Sequence, residues 1–75
     1  MPKANEAEHA NRAKAILKAE LKRKGVGYRE LAERLTAMGS PMTEQGINNK
    51  ISRGGFSAAF MLQVLDAIEV DTVRL

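Results

Sequence analysis

Residues 43–54 read T-E-Q-G-I-N-N-K-I-S-R-G, and the reading of this stretch decides the fold. Its two isoleucines, Ile47 and Ile51, are four apart and therefore stack on one side of a helix. Thr43 is placed to be the N-cap, its hydroxyl accepting from an otherwise unpaired amide of the first turn. Glu44 follows where the helix dipole favours negative charge, and Gly54 suits the left-handed residue that ends a helix. With about 100° between successive residues, Gln45, Asn49, Ser52 and Arg53 fall opposite the isoleucines, and Asn48 falls on the flank. A short helix with one apolar edge and one polar face is expected. A solvated surface would account for that face. So would a reading element, because amides, a hydroxyl and a guanidinium on a pinned helix suit base edges in a DNA major groove.

Downstream, Gly54 and Gly55 break the chain, and Phe56 is placed to fold back as the apolar contact that accompanies a glycine C-cap. Ser57 then caps a fourth helix over residues 58–69. Phe60, Met61, Val64, Leu65 and Ile68 share one face and are expected to form the centre of the core, with Leu62 pointing away from it. Val70, Val73 and Leu75 either pack as a short tail or pair with a second chain. Upstream, M-G-S-P-M at residues 38–42 is a turn, since Gly39 stops a helix and Pro41 cannot lie inside one.

The second helix is signalled by G-V-G-Y-R-E-L-A-E-R-L, residues 25–35. Gly27 takes the N-cap position and Glu30 follows where a capping box would place it. Leu31, Ala32, Leu35 and Met38 are expected to be its buried edge, and Met38, Met42 and Met61 to be core filler. Tyr28 either packs its ring on the core rim or offers its hydroxyl to a phosphate. A first helix begins near residues 6–9 and runs to Lys24, with Ala13, Ile16, Leu17 and Leu21 as its apolar stripe. Glu20 and Lys24 are spaced to pair one turn apart. Lys22, Arg23 and Lys24 sit where cations offset the dipole and where they would also serve as phosphate contacts. Residues 1–8 are polar and expected to be flexible.

Seventy-five residues make one domain with a modest core. The chain has no cysteine, which removes disulfides and thiolate metal sites, and its single histidine, His9, cannot build a metal site alone. No cofactor is expected. No apolar run approaches the roughly 20 residues of a membrane span, and M-P-K-A-N-E-A-E-H lacks the apolar core of a secretory signal. A cytoplasmic protein without membrane contact is expected. The net charge is +3, distributed as +4 over residues 1–25, 0 over 26–42, +1 over 43–55 and −2 over 56–75. The positive end favours polyanions.

The order of these features resembles the helix-turn-helix domains of the phage-repressor class, from Gly25 to Val70. Gly25-Val26-Gly27-Tyr28-Arg29-Glu30-Leu31-Ala32 follows the opening of those motifs, and Thr43-Glu44-Gln45-Gly46-Ile47 follows the start of their recognition helix. The segment R-G-G-F-S-A-A-F, residues 53–60, also resembles a signature of a small bacterial protein family of unknown function. Three departures from the phage class stand out: a longer turn between the second and third helices, one extra residue between Ile47 and Gly54, and Glu69 in place of a glycine. The resemblance implies groove contacts from Glu44, Gln45 and Asn49. Gly46, costly inside a helix by about 1 kcal/mol against alanine, would allow close approach of the helix backbone to DNA or to the second helix.

The expected architecture is all-α, a small four-helix helix-turn-helix domain with an extended turn between its second and third helices. The expected function is sequence-specific binding of double-stranded DNA, in transcriptional regulation and as a homodimer, with no catalysis and no small-molecule ligand. Base contacts are assigned to Glu44, Gln45, Asn48, Asn49 and Ser52. Phosphate contacts are assigned to Tyr28, Arg29, Thr43, Lys50, Arg53, Lys22 and Arg23. The rival is a protein-interaction module, antitoxin-like or adaptor, built on the same helices. A binder of single-stranded RNA ranks third, because it would want exposed aromatics for stacking.

Overall fold

The computed structural model describes residues 6–75. The flexibility expected for residues 1–8 lies outside the described residues for 1–5, while Glu6, Ala7 and Glu8 form the first turn of a helix. The element order is α1 (Glu6–Lys24), α2 (Tyr28–Ala37), α3 (Glu44–Arg53) and α4 (Ala58–Ala67), with no strand among the described residues. None of these helices is long and apolar enough to cross a membrane. Both α3 and α4 pack against α1 and α2, with α2 their more extensive neighbour.

The core takes Leu17 and Leu21 from α1, Leu31 and Leu35 from α2, Ile47 and Ile51 from α3, and Phe60, Val64 and Leu65 from α4. Val26, Ile68 and Val70 close it from the helix ends, and among the described residues no polar or charged side chain is buried with them. Seven of these side chains have under 2% of their surface exposed, Ile47 and Ile51 among them, so the apolar edge of α3 is anchored completely. Met42 and Met61 are partly buried against the core, as expected of filler. Met38 is not: it is 47% exposed. It is the C-cap of α2, and the chain turns away at Gly39 before its side chain can reach inward.

Three helices end in the same way. In α1, Val26 N–H donates to Leu21 O at 2.9 Å and Gly25 N–H to Lys22 O at 3.1 Å. In α2, Ser40 N–H donates to Leu35 O at 2.9 Å and Gly39 N–H to Thr36 O at 3.1 Å. In α4, Val70 N–H donates to Leu65 O at 2.8 Å and Glu69 N–H to Asp66 O at 3.0 Å. Each is a Schellman ending, which needs a left-handed residue just past the helix. Gly25 and Gly39 supply it with φ of 69° and 91°, whereas α4 uses Glu69 at φ 60°. Glu69, one of the three departures from the phage class, is thus the one non-glycine residue with positive φ among those described. The fourth ending differs. Gly54 closes α3 at φ 68° and ψ −167°, and a Cβ there would lie 3.1 Å from Ala10 O in α1.

The helix starts are simpler. Thr43 Oγ1 accepts from Gly46 N–H at 2.9 Å and Ser57 Oγ from Phe60 N–H at 3.0 Å. Gly27 is the N-cap of α2 in extended backbone, without a side-chain bond. The capping box expected from Glu30 does not form. Arg34, one turn on, holds that carboxylate through Nη2 at 2.7 Å and Nε at 3.1 Å, and a charge-assisted pair outcompetes a bond to one exposed amide. Glu20 likewise pairs with Arg23, at 2.6 Å, rather than with Lys24. Lys24 instead donates to Glu69 O at 3.3 Å, across the chain.

Two predictions follow from the backbone. At Gly27, φ is −85° and no atom lies within 4 Å of an added Cβ. Gly27→Ser is therefore expected to raise stability by a few tenths of a kcal/mol, read as a higher midpoint in urea. The left-handed positions should respond in opposite senses. Gly54→Ala is expected to cost about 1–3 kcal/mol, because its backbone region is nearly glycine-only. Glu69→Gly is expected to gain about 0.5–1 kcal/mol by relieving a side chain at positive φ. Paired thermal melts with the parent check both signs.

Candidate nucleic-acid interface

The polar face of α3 follows from its apolar edge. With Ile47 and Ile51 sealed in the core, Gln45 and Asn49 are carried to the opposite side, and both are exposed. Glu44, Asn48, Ser52 and Arg53 are exposed beside them. Ser52 Oγ donates to Asn48 Oδ1 at 3.0 Å, one turn back. That bond occupies part of the Asn48 carbonyl and does not use its amide hydrogens. Gln45 and Asn49 keep the paired donor and acceptor that match N6 and N7 of adenine.

The first turns of α2 and α3 lie side by side. Tyr28, Thr43, Glu44, Gln45 and Asn48 line one shallow hollow between them. Burial pushes the Tyr28 phenol above its ordinary range, so the hydroxyl keeps its proton at neutral pH and can donate it. Thr43 Oγ1 already accepts from Gly46 N–H, which leaves its own proton as a donor. Arg29 and Glu44 line a neighbouring hollow with Ala32, Glu33, Thr36 and Met42.

Gly46 has a local explanation. A Cβ there would meet Thr43 Oγ1 at 3.1 Å and Met42 Cε at 4.0 Å. The glycine leaves room for its own helix cap, and no atom of α2 is among the near neighbours.

The cations divide into two sets. Four are engaged with backbone carbonyls elsewhere in the chain. Lys14 Nζ donates to Ser52 O at 3.2 Å and Arg34 Nη1 to Ala67 O at 3.0 Å. Arg12 Nη2 donates to Leu75 O at 2.7 Å, and Lys24 to Glu69 O as above. Lys14 and Arg34 thereby neutralise the C-terminal ends of α3 and α4, where orphan carbonyls and the dipole favour a positive group. Sequence reasoning missed these roles. Gln63, whose Nε2 donates to Ser40 Oγ at 3.1 Å and ties the α2–α3 turn to α4, was missed too.

Of the cations assigned to phosphate, Lys22, Arg29 and Arg53 are exposed. Arg23 is exposed but paired with Glu20. Lys50 leans over the Phe60 ring, with Nζ 4.8 Å from its centroid. The frame places these groups around α3. Lys14 and Gly54 bring the C-terminal end of α3 to the N-terminal half of α1. The other end of α1, with Lys22 and Arg23, leads through residues 25–27 into the first turn of α2, beside the start of α3. Arg53 therefore stands at the C-terminal end of the polar face, and Arg29 lies near its start, beside Glu44. Among the described residues, no cluster of three or more His, Asp or Glu could hold a metal ion.

No curated protein and no solved structure matches this chain. One family model does match, over residues 9–73, which spans all of α2, α3 and α4 and most of α1. The chain belongs to the family described as a domain of unknown function, DUF6471.

Proposed function

We propose that this domain binds double-stranded DNA with α3 in the major groove, in a helix-turn-helix arrangement of α2 and α3, and that it regulates transcription in the cytoplasm as a homodimer. The observation that carries the reading is the exposed face of α3. Its amides, hydroxyl and guanidinium stand opposite two fully buried isoleucines. A face held that rigidly suits base readout, because the helix cannot roll to hide its polar groups. Gln45 and Asn49 read bases, and Asn48, Ser52 and Glu44 border them. Tyr28 and Thr43 donate to phosphates beside the paired helix starts, and Lys22, Arg29 and Arg53 supply the charge. Lys50 and Arg23 take part only by leaving Phe60 and Glu20. No residue is given a catalytic role, and no cofactor or small ligand is invoked.

The rival, a protein-interaction module, is favoured by a different observation: the apolar surface that α4 leaves exposed at Leu62. The two readings separate by salt. If Lys22, Arg29 and Arg53 each meet a phosphate, the log–log slope of affinity against salt is about −2.7 per protomer, at about 0.9 per contact. Fluorescence anisotropy with duplex DNA over a salt series measures it. A slope near zero, or no complex at low salt, refutes DNA binding.

The second test separates reading DNA from being a polar helix. Gln45→Ala and Asn49→Ala are expected to leave the melting temperature nearly unchanged. Each should lower affinity for a selected site by about 1–3 kcal/mol and hardly change affinity for scrambled DNA. Ile47→Ala serves as the contrast, destabilising by roughly 2–5 kcal/mol through the cavity it leaves. Parent-like binding of the selected site by both alanine variants removes α3 as the reading element.

A further inference from the structure

The outer side of α4 carries an apolar groove that continues outward from the core, with Leu65 and Val70 at its buried base and Met61 and Val73 half-buried above them. Ala58, Met61, Leu62 and Leu65 follow one another at helical spacing, and Val70, Val73 and Leu75 of the C-terminal segment extend the same groove. Leu62 is 62% exposed and Leu75 82% exposed. Two acids, Asp66 and Asp71, complete the lining. Leu62 and Leu75 line this one groove with the half-buried Met61 and Val73, so they form a patch rather than a scatter of surface leucines.

The charges of α4 indicate what covers it. The first turns of α1, α2 and α3 hold Glu6 and Glu8, Glu30, and Glu44, whereas the first turn of α4 holds no acid. Its amides are capped by Ser57, but the positive end of its dipole meets no carboxylate of its own first turn. Asp66 lies two turns further along the same helix, exposed and in neither the Glu20–Arg23 nor the Glu30–Arg34 pair. Its companion at the C-terminal end, Ala67 O, is already served by Arg34.

We infer that a second copy of this chain covers the groove, with the two α4 helices antiparallel about a twofold axis near Met61 and Leu62. That arrangement sets each exposed Leu62 against the partner's half-buried Met61. It also brings each Asp66 beside the first turn of the partner's α4, where a carboxylate is favoured. Because the same patch is used twice, the contact closes on itself. α3 packs on α1 and α2, and none of its residues lines the groove. The inference deepens the DNA-binding reading and rests on it for the expectation of a twofold pair. Oligomeric state is measured without DNA, so the two can fail separately.

Sedimentation equilibrium of the full chain, over a concentration series, tests it. The parent is expected to be a dimer. Leu62→Glu should weaken dimerisation by about tenfold or more, since it places a charge in an apolar seam, and a thermal melt at low concentration should show the fold kept. The sign at Ala58 tests the register. Ala58→Glu adds the acid that the α4 dipole lacks and should not destabilise the monomer, yet it faces the partner's Asp66 and should weaken the dimer. Ala58→Lys should leave the dimer stronger than Ala58→Glu does. A parent that is monomeric throughout, its groove then belonging to another protein, overturns the inference. So does a dimer that Leu62→Glu leaves intact, or equal effects of Glu and Lys at position 58.

Discussion

The burial of Ile47 and Ile51 is the constraint on which the rest of the site depends. Both have none of their surface exposed. A helix of ten residues has little intrinsic stability in water, so α3 exists because these two side chains complete the core between α1 and α2. Their burial fixes the rotation of α3 about its own axis, and that rotation turns Gln45, Asn49, Ser52 and Arg53 outward. The chemistry of the exposed face is thus a consequence of packing on the hidden one.

A helix this short also needs defined ends. Thr43 fixes the start and Gly54 the finish, and each is bought with a glycine. Gly46 leaves space for the capping hydroxyl, and Gly54 lets the chain pass close to Ala10 of α1. The other three helices share one termination geometry, so their ends are set by a common backbone requirement rather than by side-chain chemistry. Glu69 shows how strong that requirement is. The chain keeps the left-handed turn after α4 with a residue that disfavours it, because Val70 must reach back to Leu65 to close the core.

Local features were legible in the sequence because their causes are local. The caps at Thr43 and Ser57, the endings at Gly25, Gly39 and Gly54, the buried isoleucines and the outward Leu62 each follow from a few neighbouring residues. Met38 and Glu30 were misread for the same reason. Spacing put Met38 on the buried edge, but it sits where the helix has already ended. Glu30 had the right offset for a capping box, but spacing says nothing of the competing Arg34. The cations on distant carbonyls, Lys14, Lys24 and Arg34, left no sequence signal at all. Their partners are 38, 45 and 33 residues away, and nothing in a local window reports which helix end will arrive.

That division of the cations changes what the net charge means. The +4 of residues 1–25 suggests a basic tip on the first helix. In the folded chain Arg12, Lys14 and Lys24 each donate to a backbone carbonyl, and Arg23 is held by Glu20. Lys14 spends its charge on the C-terminal end of α3, opposing the negative pole of that dipole. The exposed cations outside these bonds include Lys18 and Lys22 on α1, Arg29 on α2 and Arg53 on α3. The cations free to meet a polyanion are therefore fewer than the composition implies and are shared among α1, α2 and α3. On the proposed DNA-binding reading, such charge supplies non-specific attraction and the amides supply discrimination.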